Sequence, residues 1–185
     1  MISNIIFKKY CNAVFMVYGY SEDSKRSWQG SGFIISSNGL AVSNYHLFKN
    51  AYKVTIKYYD STTTYNITKD DILAYSASDD FIIFKVKGKS NFSYIPVSKR
   101  ISEIGDKVYT IGSPKGYENT FSNGVISQYR KGFIQITAPI DHGSSGGALI
   151  NEYGEAIGIT SSSIDDSKAH LNFCKDLLSL LRPYM

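Results

Sequence analysis

The sequence predicts an all-β fold of two small lobes with a helix near the end of the chain, and three observations lead to this prediction. Short β-branched and aromatic runs recur along the chain between turn signals, a spacing typical of an all-β sandwich or barrel. The stretch 94–107 is polar and irregular, so we interpret it as the connection between lobes of about 10–95 and about 105–173. Leucines at 177, 178, 180 and 181 give one apolar face to a helix over 174–183, which Pro183 ends.

The individual elements follow the same patterns in chain order. A weaker helical pattern covers Ser3 to Tyr10. Asn38-Gly39 has the composition preferred in a two-residue hairpin turn, and the stretch 151–154, Asn-Glu-Tyr-Gly, has that of a later turn. The predicted strands are NAVFMVYGY, GFIIS, LAVSN, YKVTIKYYD, TTYNI, DFIIFKV, KVYTIG, NGVIS, GFIQITA, GALIN and EAIGITSS.

Composition excludes several classes of function. The net charge of +4 comes from 20 Lys and Arg against 16 Asp and Glu, and the basic residues are scattered, which argues against a nucleic-acid binder. Cys11 and Cys174 match no metal spacing and the chain has three histidines, so we expect two buried thiols, no metal and no cofactor. The first residues lack a basic region and a cleavage site, and no run reaches the roughly 20 apolar residues of a membrane span. We therefore expect a cytoplasmic protein without a membrane partner, and a host-intracellular setting also fits.

The glycine-rich stretch DHGSSGGALIN, residues 141–151, is the strongest chemical signal. A phosphate loop needs a lysine and then Ser or Thr after its glycines, and none follows Gly146-Gly147. Residues 143–147 fit the Gly-x-Ser-x-Gly nucleophile elbow, but that class needs its acid and histidine after the serine. Only His170 follows, and no alternation of strands and helices is present.

The order histidine, acid, serine fits better. A serine hydroxyl needs a base to become a nucleophile, and the imidazole needs a carboxylate to fix its tautomer. His46 ends the first hairpin, and Asp79 and Asp80 stand before an apolar strand. Asp80 follows His46 by 34 residues and precedes Ser145 by 65, which places the acid late in the first lobe and the serine in the second. The two lobes would then meet at a catalytic cleft.

Four segments resemble the trypsin-like serine proteases of the HtrA/Deg type, and the resemblance covers about residues 10–175. The segments are GSGFIISSNGLAVSNYH, DDFIIFKV, IGSPKGYENTFSNGVIS and IQITAPIDHGSSGGALIN. The resemblance implies a chymotrypsin-like double β-barrel and a serine endopeptidase that works through an acyl-enzyme. It implies that His46 is the general base, Asp80 rather than Asp79 its orienting acid, and Ser145 the nucleophile, with the backbone N–H groups of Gly143 and Ser145 as the oxyanion hole.

The resemblance also implies where the substrate side chain binds. The pocket lacks an acid at its base, so we expect cleavage after a small or medium aliphatic residue. Asp141 and His142 replace residues that are usually neutral in the family, and His170 adds a polar group near the rim. The residues expected to line the pocket are Pro139, Ile140, Ser161, Ser162, Ser163 and Phe173.

Two departures from the family pattern bear on regulation. Ser144 stands where digestive relatives keep an aspartate that pairs with a new N-terminus, so we expect no activation by N-terminal cleavage. The chain ends soon after its last predicted strand, so we expect no PDZ domain. The expected partner is a protein or peptide substrate, with monomer and homotrimer both open. The alternative is a catalytically latent or inactive protease-fold module that binds peptides and needs activation by a partner.

Overall fold

The computed structural model describes residues 3–59, 61–113, 119–130, 132–140, 145–161 and 172–184, which form thirteen strands in two sheets. The first lobe is a seven-stranded antiparallel sheet in the order β5-β4-β1-β2-β3-β7-β6. Fully buried Phe15, Ile56 and Phe84 fill its interior. Its strands are β1 (Val14–Tyr20), β2 (Ser27–Ile34), β3 (Leu40–Ser43), β4 (Lys53–Tyr58), β5 (Thr64–Ile67), β6 (Ile72–Ser76) and β7 (Phe81–Lys85).

The second lobe is a closed barrel in the order β10-β13-β12-β11-β8-β9. Val108, Ile126 and Leu149 are among the fully buried side chains inside it. Its strands are β8 (Lys107–Gly112), β9 (Thr120–Arg130), β10 (Phe133–Ile136), β11 (Ala148–Asn151), β12 (Ala156–Thr160) and β13 (Asn172–Asp176). The all-β double barrel expected from the sequence is therefore confirmed.

A shared core joins the two lobes. Phe33 and Val42 of the first lobe pack in one cluster with Ile111 and Ala148 of the second. The connection between β7 and β8 carries no strand, and its one bridge in the described residues joins Val97 to Ala156. The lobes also meet through the backbone, because the Ser31 amide of β2 donates to the Ser145 carbonyl just before β11.

Two short helices lie at the ends of the described chain. Helix α1 (Ser3–Tyr10) forms where the sequence predicts it and buries Ile6 and Tyr10. Helix α2 spans only Leu177–Leu181, so its predicted start at Cys174 is wrong. Cys174 lies in β13, which pairs with both β10 and β12, and these barrel hydrogen bonds outweigh the local helical pattern. Among the described residues, no helix is long and apolar enough to cross a membrane.

The first hairpin also differs from its prediction. The Ile35 amide donates to the Leu40 carbonyl at 2.8 Å, which leaves a four-residue loop instead of a two-residue turn. Gly39 has a φ of +91°, whereas Asn38 does not adopt a positive φ. A type I′ two-residue turn needs a positive φ at both central residues, and only Gly39 of the pair has one. The predicted two-residue turn is therefore wrong.

Candidate active site

His46 and Asp80 come together because their strands are neighbours. Strand β3 pairs antiparallel with β7, with Ser43 opposite Ile82, so the end of β3 and the start of β7 lie at one edge. The short 3₁₀ turn Tyr45–Leu47 then carries His46 over that edge. The spacing of residues alone left both Asp79 and Asp80 open, and the family resemblance favoured Asp80; the structure places Asp80 against the imidazole.

The Asp80 carboxylate contacts both the ring and the backbone of His46. Its Oδ2 lies 2.6 Å from His46 Nδ1, and its Oδ1 accepts a hydrogen bond from the His46 amide at 2.6 Å. An ionised carboxylate at Nδ1 keeps the ring proton there and leaves Nε2 as the acceptor. Asp79 is engaged elsewhere, since its carboxylate accepts a hydrogen bond from the Ser76 hydroxyl at 3.3 Å. The geometry of His46 and Asp80 is the one that a histidine general base and its orienting carboxylate require.

Asp80 has an unusual backbone conformation. Its φ is +53°, a left-handed value that few non-glycine residues adopt. The Asp80 carbonyl accepts a hydrogen bond from Asn44 Nδ2 at 3.1 Å, so both the side chain and the backbone of this residue contact the histidine turn. Backbone strain of this kind occurs most often at functional sites.

Ser145 precedes β11 and is held against the first lobe. Its carbonyl accepts a hydrogen bond from the Ser31 amide of β2 at 2.8 Å, and the amide of Gly146 donates to the Thr160 carbonyl of β12 at 2.7 Å. Gly146 has a φ of +92°, and a Cβ there would lie 2.0 Å from the Ser31 carbonyl oxygen. Gly30 is similarly close, since a Cβ there would lie 2.9 Å from the Ser145 carbonyl oxygen. These glycines allow the serine turn to approach β2 directly.

The hydroxyl of Ser145 donates its hydrogen bond to a residue other than His46. Ser145 is 6 % exposed, and its Oγ donates to Asn44 Oδ1 at 2.6 Å. Asn44 is fully buried and lies two residues before His46. Sequence reasoning did not assign Asn44 a role, although the residue stands in the Asn-x-His pattern of the histidine segment. The structure thus brings His46, Asp80, Asn44 and Ser145 into one site.

The other predicted site residues are only partly described. Pro139 and Ile140 line a cavity of about 210 Å³ together with Thr160. The Ser161 amide donates to the Phe173 carbonyl at 3.2 Å, so these two predicted pocket residues lie side by side. Other predicted residues lie outside the described part of the chain. They are Gly143 in the oxyanion hole, Ser162 and Ser163 in the pocket, Asp141, His142 and His170 near its rim, and Ser144, which bears on activation.

The described residues contain no group of three or more His, Cys, Asp or Glu that could hold a metal ion. Cys11 and Cys174 are free and buried, and burial raises the pKa of each thiol. A raised pKa keeps a thiol protonated and unreactive. Neither thiol is therefore available as a nucleophile.

Several known proteins that this chain resembles are peptidases. Residues 30–159 match the family described as the trypsin-like peptidase domain. The chain is similar to the serine endoprotease DegS of Escherichia coli strain K12, with 29 % identity over 180 residues that cover 89 % of this chain and 50 % of that protein. It is also similar to DegS of Haemophilus influenzae, with 35 % identity covering 73 % of this chain and 42 % of the relative. The chain thus spans about half the length of the DegS relatives.

Another relative and a solved structure extend the comparison. The probable periplasmic DegP-like serine endoprotease of Pseudomonas fluorescens is 32 % identical over 71 % of this chain and 29 % of its own length. The crystal structure of the serine endoprotease from Yersinia pestis superposes with a TM-score of 0.85 at 27 % identity. It covers 98 % of this chain and 65 % of the Yersinia chain. The similarity in fold therefore includes both lobes.

Proposed function

Since the chain belongs to the trypsin-like peptidase family, we propose that it is a serine endopeptidase that hydrolyses peptide bonds in protein substrates through an acyl-enzyme. The observation that carries this proposal is the contact of 2.6 Å between His46 Nδ1 and the Asp80 carboxylate, at the cleft where Ser145 enters from the second lobe. An inactive peptide-binding module would not need this pairing of base and acid.

The proposed reaction assigns one step to each group. Ser145 Oγ attacks the carbonyl carbon of the scissile bond while His46 Nε2 takes the hydroxyl proton, and the carbonyl π electrons move to the oxygen. Asp80 stabilises the imidazolium that forms, and His46 then gives the proton to the leaving amine. Water attacks the resulting ester by the reverse sequence of transfers. The backbone N–H groups of Gly143 and Ser145 are our candidates for binding the oxyanion.

A serine-directed variant tests the proposal. We expect Ser145→Ala to lower kcat on a peptide substrate by about 10⁶-fold, because loss of the nucleophile removes the acyl-enzyme route. The variant should still fold like the native protein and should lose labelling by a fluorophosphonate probe. Ser144→Ala, which removes the neighbouring serine, is the matched control and should retain labelling. Near-normal proteolysis by Ser145→Ala would falsify the proposal.

For substrate preference we propose a small or medium aliphatic residue before the cleaved bond. The support is the apolar character of Pro139 and Ile140 and the absence of a carboxylate among the described residues around their cavity. Cleavage of a peptide library, read by mass spectrometry, measures this preference. Dominant cleavage after Lys or Arg would contradict it.

The cellular compartment and the oligomeric state stay predictions. The cytoplasmic expectation rests on sequence alone, and the Pseudomonas relative is named a periplasmic enzyme. Fractionation of the cells that produce this chain, followed by immunoblotting, distinguishes the compartments. Sedimentation of the purified protein distinguishes monomer from homotrimer.

A further inference from the structure

The hydrogen bonds around Asn44 fix the direction in which the Ser145 hydroxyl donates. Asn44 Nδ2 can only donate, and it lies 3.1 Å from the Asp80 carbonyl oxygen, which can only accept. The other end of the same amide is therefore Oδ1, which can only accept, and it lies 2.6 Å from Ser145 Oγ. The hydroxyl must supply the proton of that bond. Ser145 thus directs its proton to Asn44 and not to His46.

Acylation requires the opposite arrangement. The Oγ–H bond breaks as the bond between Oγ and the substrate carbon forms, and the proton moves to His46 Nε2. A hydroxyl proton bound to Asn44 Oδ1 is not available for that transfer. Ser145 must first exchange one acceptor for the other, and it has a single proton to donate.

We propose that Asn44 is a positioning residue that holds the Ser145 hydroxyl in a resting orientation, so that acylation begins with transfer of this hydrogen bond from Asn44 to His46. This inference rests on the proposed serine endopeptidase function. Asn44 is suited to the role because it is fully buried and lies in the first lobe, whereas Ser145 belongs to the second. The bond therefore couples the nucleophile to the relative position of the two lobes.

A second hydrogen bond, to Asp80, holds the Asn44 side chain in place. Its Nδ2 is bound to the backbone of Asp80, which has a left-handed φ of +53° and whose carboxylate contacts His46. Rotation of the Asn44 side chain would break two hydrogen bonds, whereas rotation of the Ser145 side chain breaks one. The hydroxyl is therefore the group that moves.

Removal of the Asn44 side chain tests the proposal. We expect Asn44→Ala to raise the rate of fluorophosphonate labelling at Ser145 and kcat on a peptide anilide by about two- to tenfold, the range that one net hydrogen bond supports. KM should stay within about twofold, because the bond is broken before the transition state and does not contact substrate. Asn66→Ala, at an exposed asparagine of the same lobe, is the control and should change neither rate.

A second variant separates this role from a structural one. Asn44→Thr nearly keeps the side-chain volume, but its hydroxyl is one bond shorter and does not reach the position of Oδ1. It should fold like the native protein and show the same gain in labelling rate. A purely structural role for Asn44 predicts a loss of rate in both variants, since a loosened site misplaces Ser145.

The outcomes are distinguishable from failure of the proposed function. Labelling that depends on Ser145 but is unchanged or slower in both Asn44 variants overturns the resting-state proposal and leaves the protease function intact. Failure of Asn44→Thr to fold also overturns it, because Asn44 would then be needed for the fold itself. Absence of labelling and of turnover in the native protein and in every variant removes the protease function, and the inference with it.

Discussion

Replacing Gly146 by alanine should misplace the nucleophile, because the serine turn has no room for a side chain at this position. Gly146 has a φ of +92°, and a Cβ there would lie 2.0 Å from the carbonyl oxygen of Ser31 and 2.8 Å from the hydroxyl of Ser43. The nearest atom belongs to the backbone of β2, which is paired with β1 and β3 and cannot move aside cheaply. The turn that carries Ser145 must therefore move instead.

The size of the effect follows from this geometry. Cβ atoms in proteins essentially never approach another heavy atom closer than 3.0 Å, so the turn must move by about 1 Å. A misplacement of about 1 Å can cost about 100-fold in rate, which corresponds to about 2.7 kcal/mol of transition-state stabilisation. The left-handed backbone adds about 1–2 kcal/mol of lost stability. We therefore expect kcat/KM to fall about 100-fold. The backbone strain alone should lower Tm by about 2–8 °C, and displacement of the turn should add to this.

The matched control is Gly105→Ala. Gly105 has nearly the same φ, +94°, but nothing lies within 4 Å of the position that a Cβ would occupy. This variant should lose the same 1–2 kcal/mol or so of stability and keep kcat/KM within about twofold of the native value. Peptide hydrolysis and thermal unfolding of the two variants separate backbone strain from displacement of Ser145. Equal activity in both would refute the argument.

Two further predictions concern carboxylates. Asp80→Asn should lower kcat by about 10⁴-fold, by analogy with the same change in the chymotrypsin triad, because an amide does not fix the His46 tautomer; Asp79→Asn should leave kcat nearly unchanged, and similar losses in both would contradict the assignment. Hydrogen bonding from Asn151, with a smaller contribution from Arg100, outweighs burial and holds the pKa of Glu155 below its ordinary value. This carboxylate therefore stabilises the fold above its unfolded-state pKa and stops doing so as the pH falls through its folded-state pKa. The native protein should have a higher Tm than Glu155→Gln near neutral pH, and thermal unfolding should show this difference in Tm shrinking as the pH falls. A difference in Tm that does not change with pH would contradict the prediction.

Local patterns in the sequence predict the site residues and most strands. The β-branched runs and turn residues mark eleven of the strands, and chain order selects the histidine, the acid pair and the serine. These features can be inferred because each depends on residues close together in the chain. The sequence does not predict strands β6 and β13. The residues of β13 around Cys174 have a helical pattern, and they form a strand because they pair with β10 and β12.

The sequence by itself therefore determined the class of fold, the two lobes and the residues able to form a triad. Only the tertiary structure brought the Asp80 carboxylate against His46, placed Gly146 against Ser31, and directed the Ser145 hydroxyl to Asn44. The physical reason is that these contacts join residues far apart in the chain; Ser145 and Asn44, for example, are 101 positions apart. Their distance depends on how two lobes pack, and a linear pattern of residue types carries no measure of that packing.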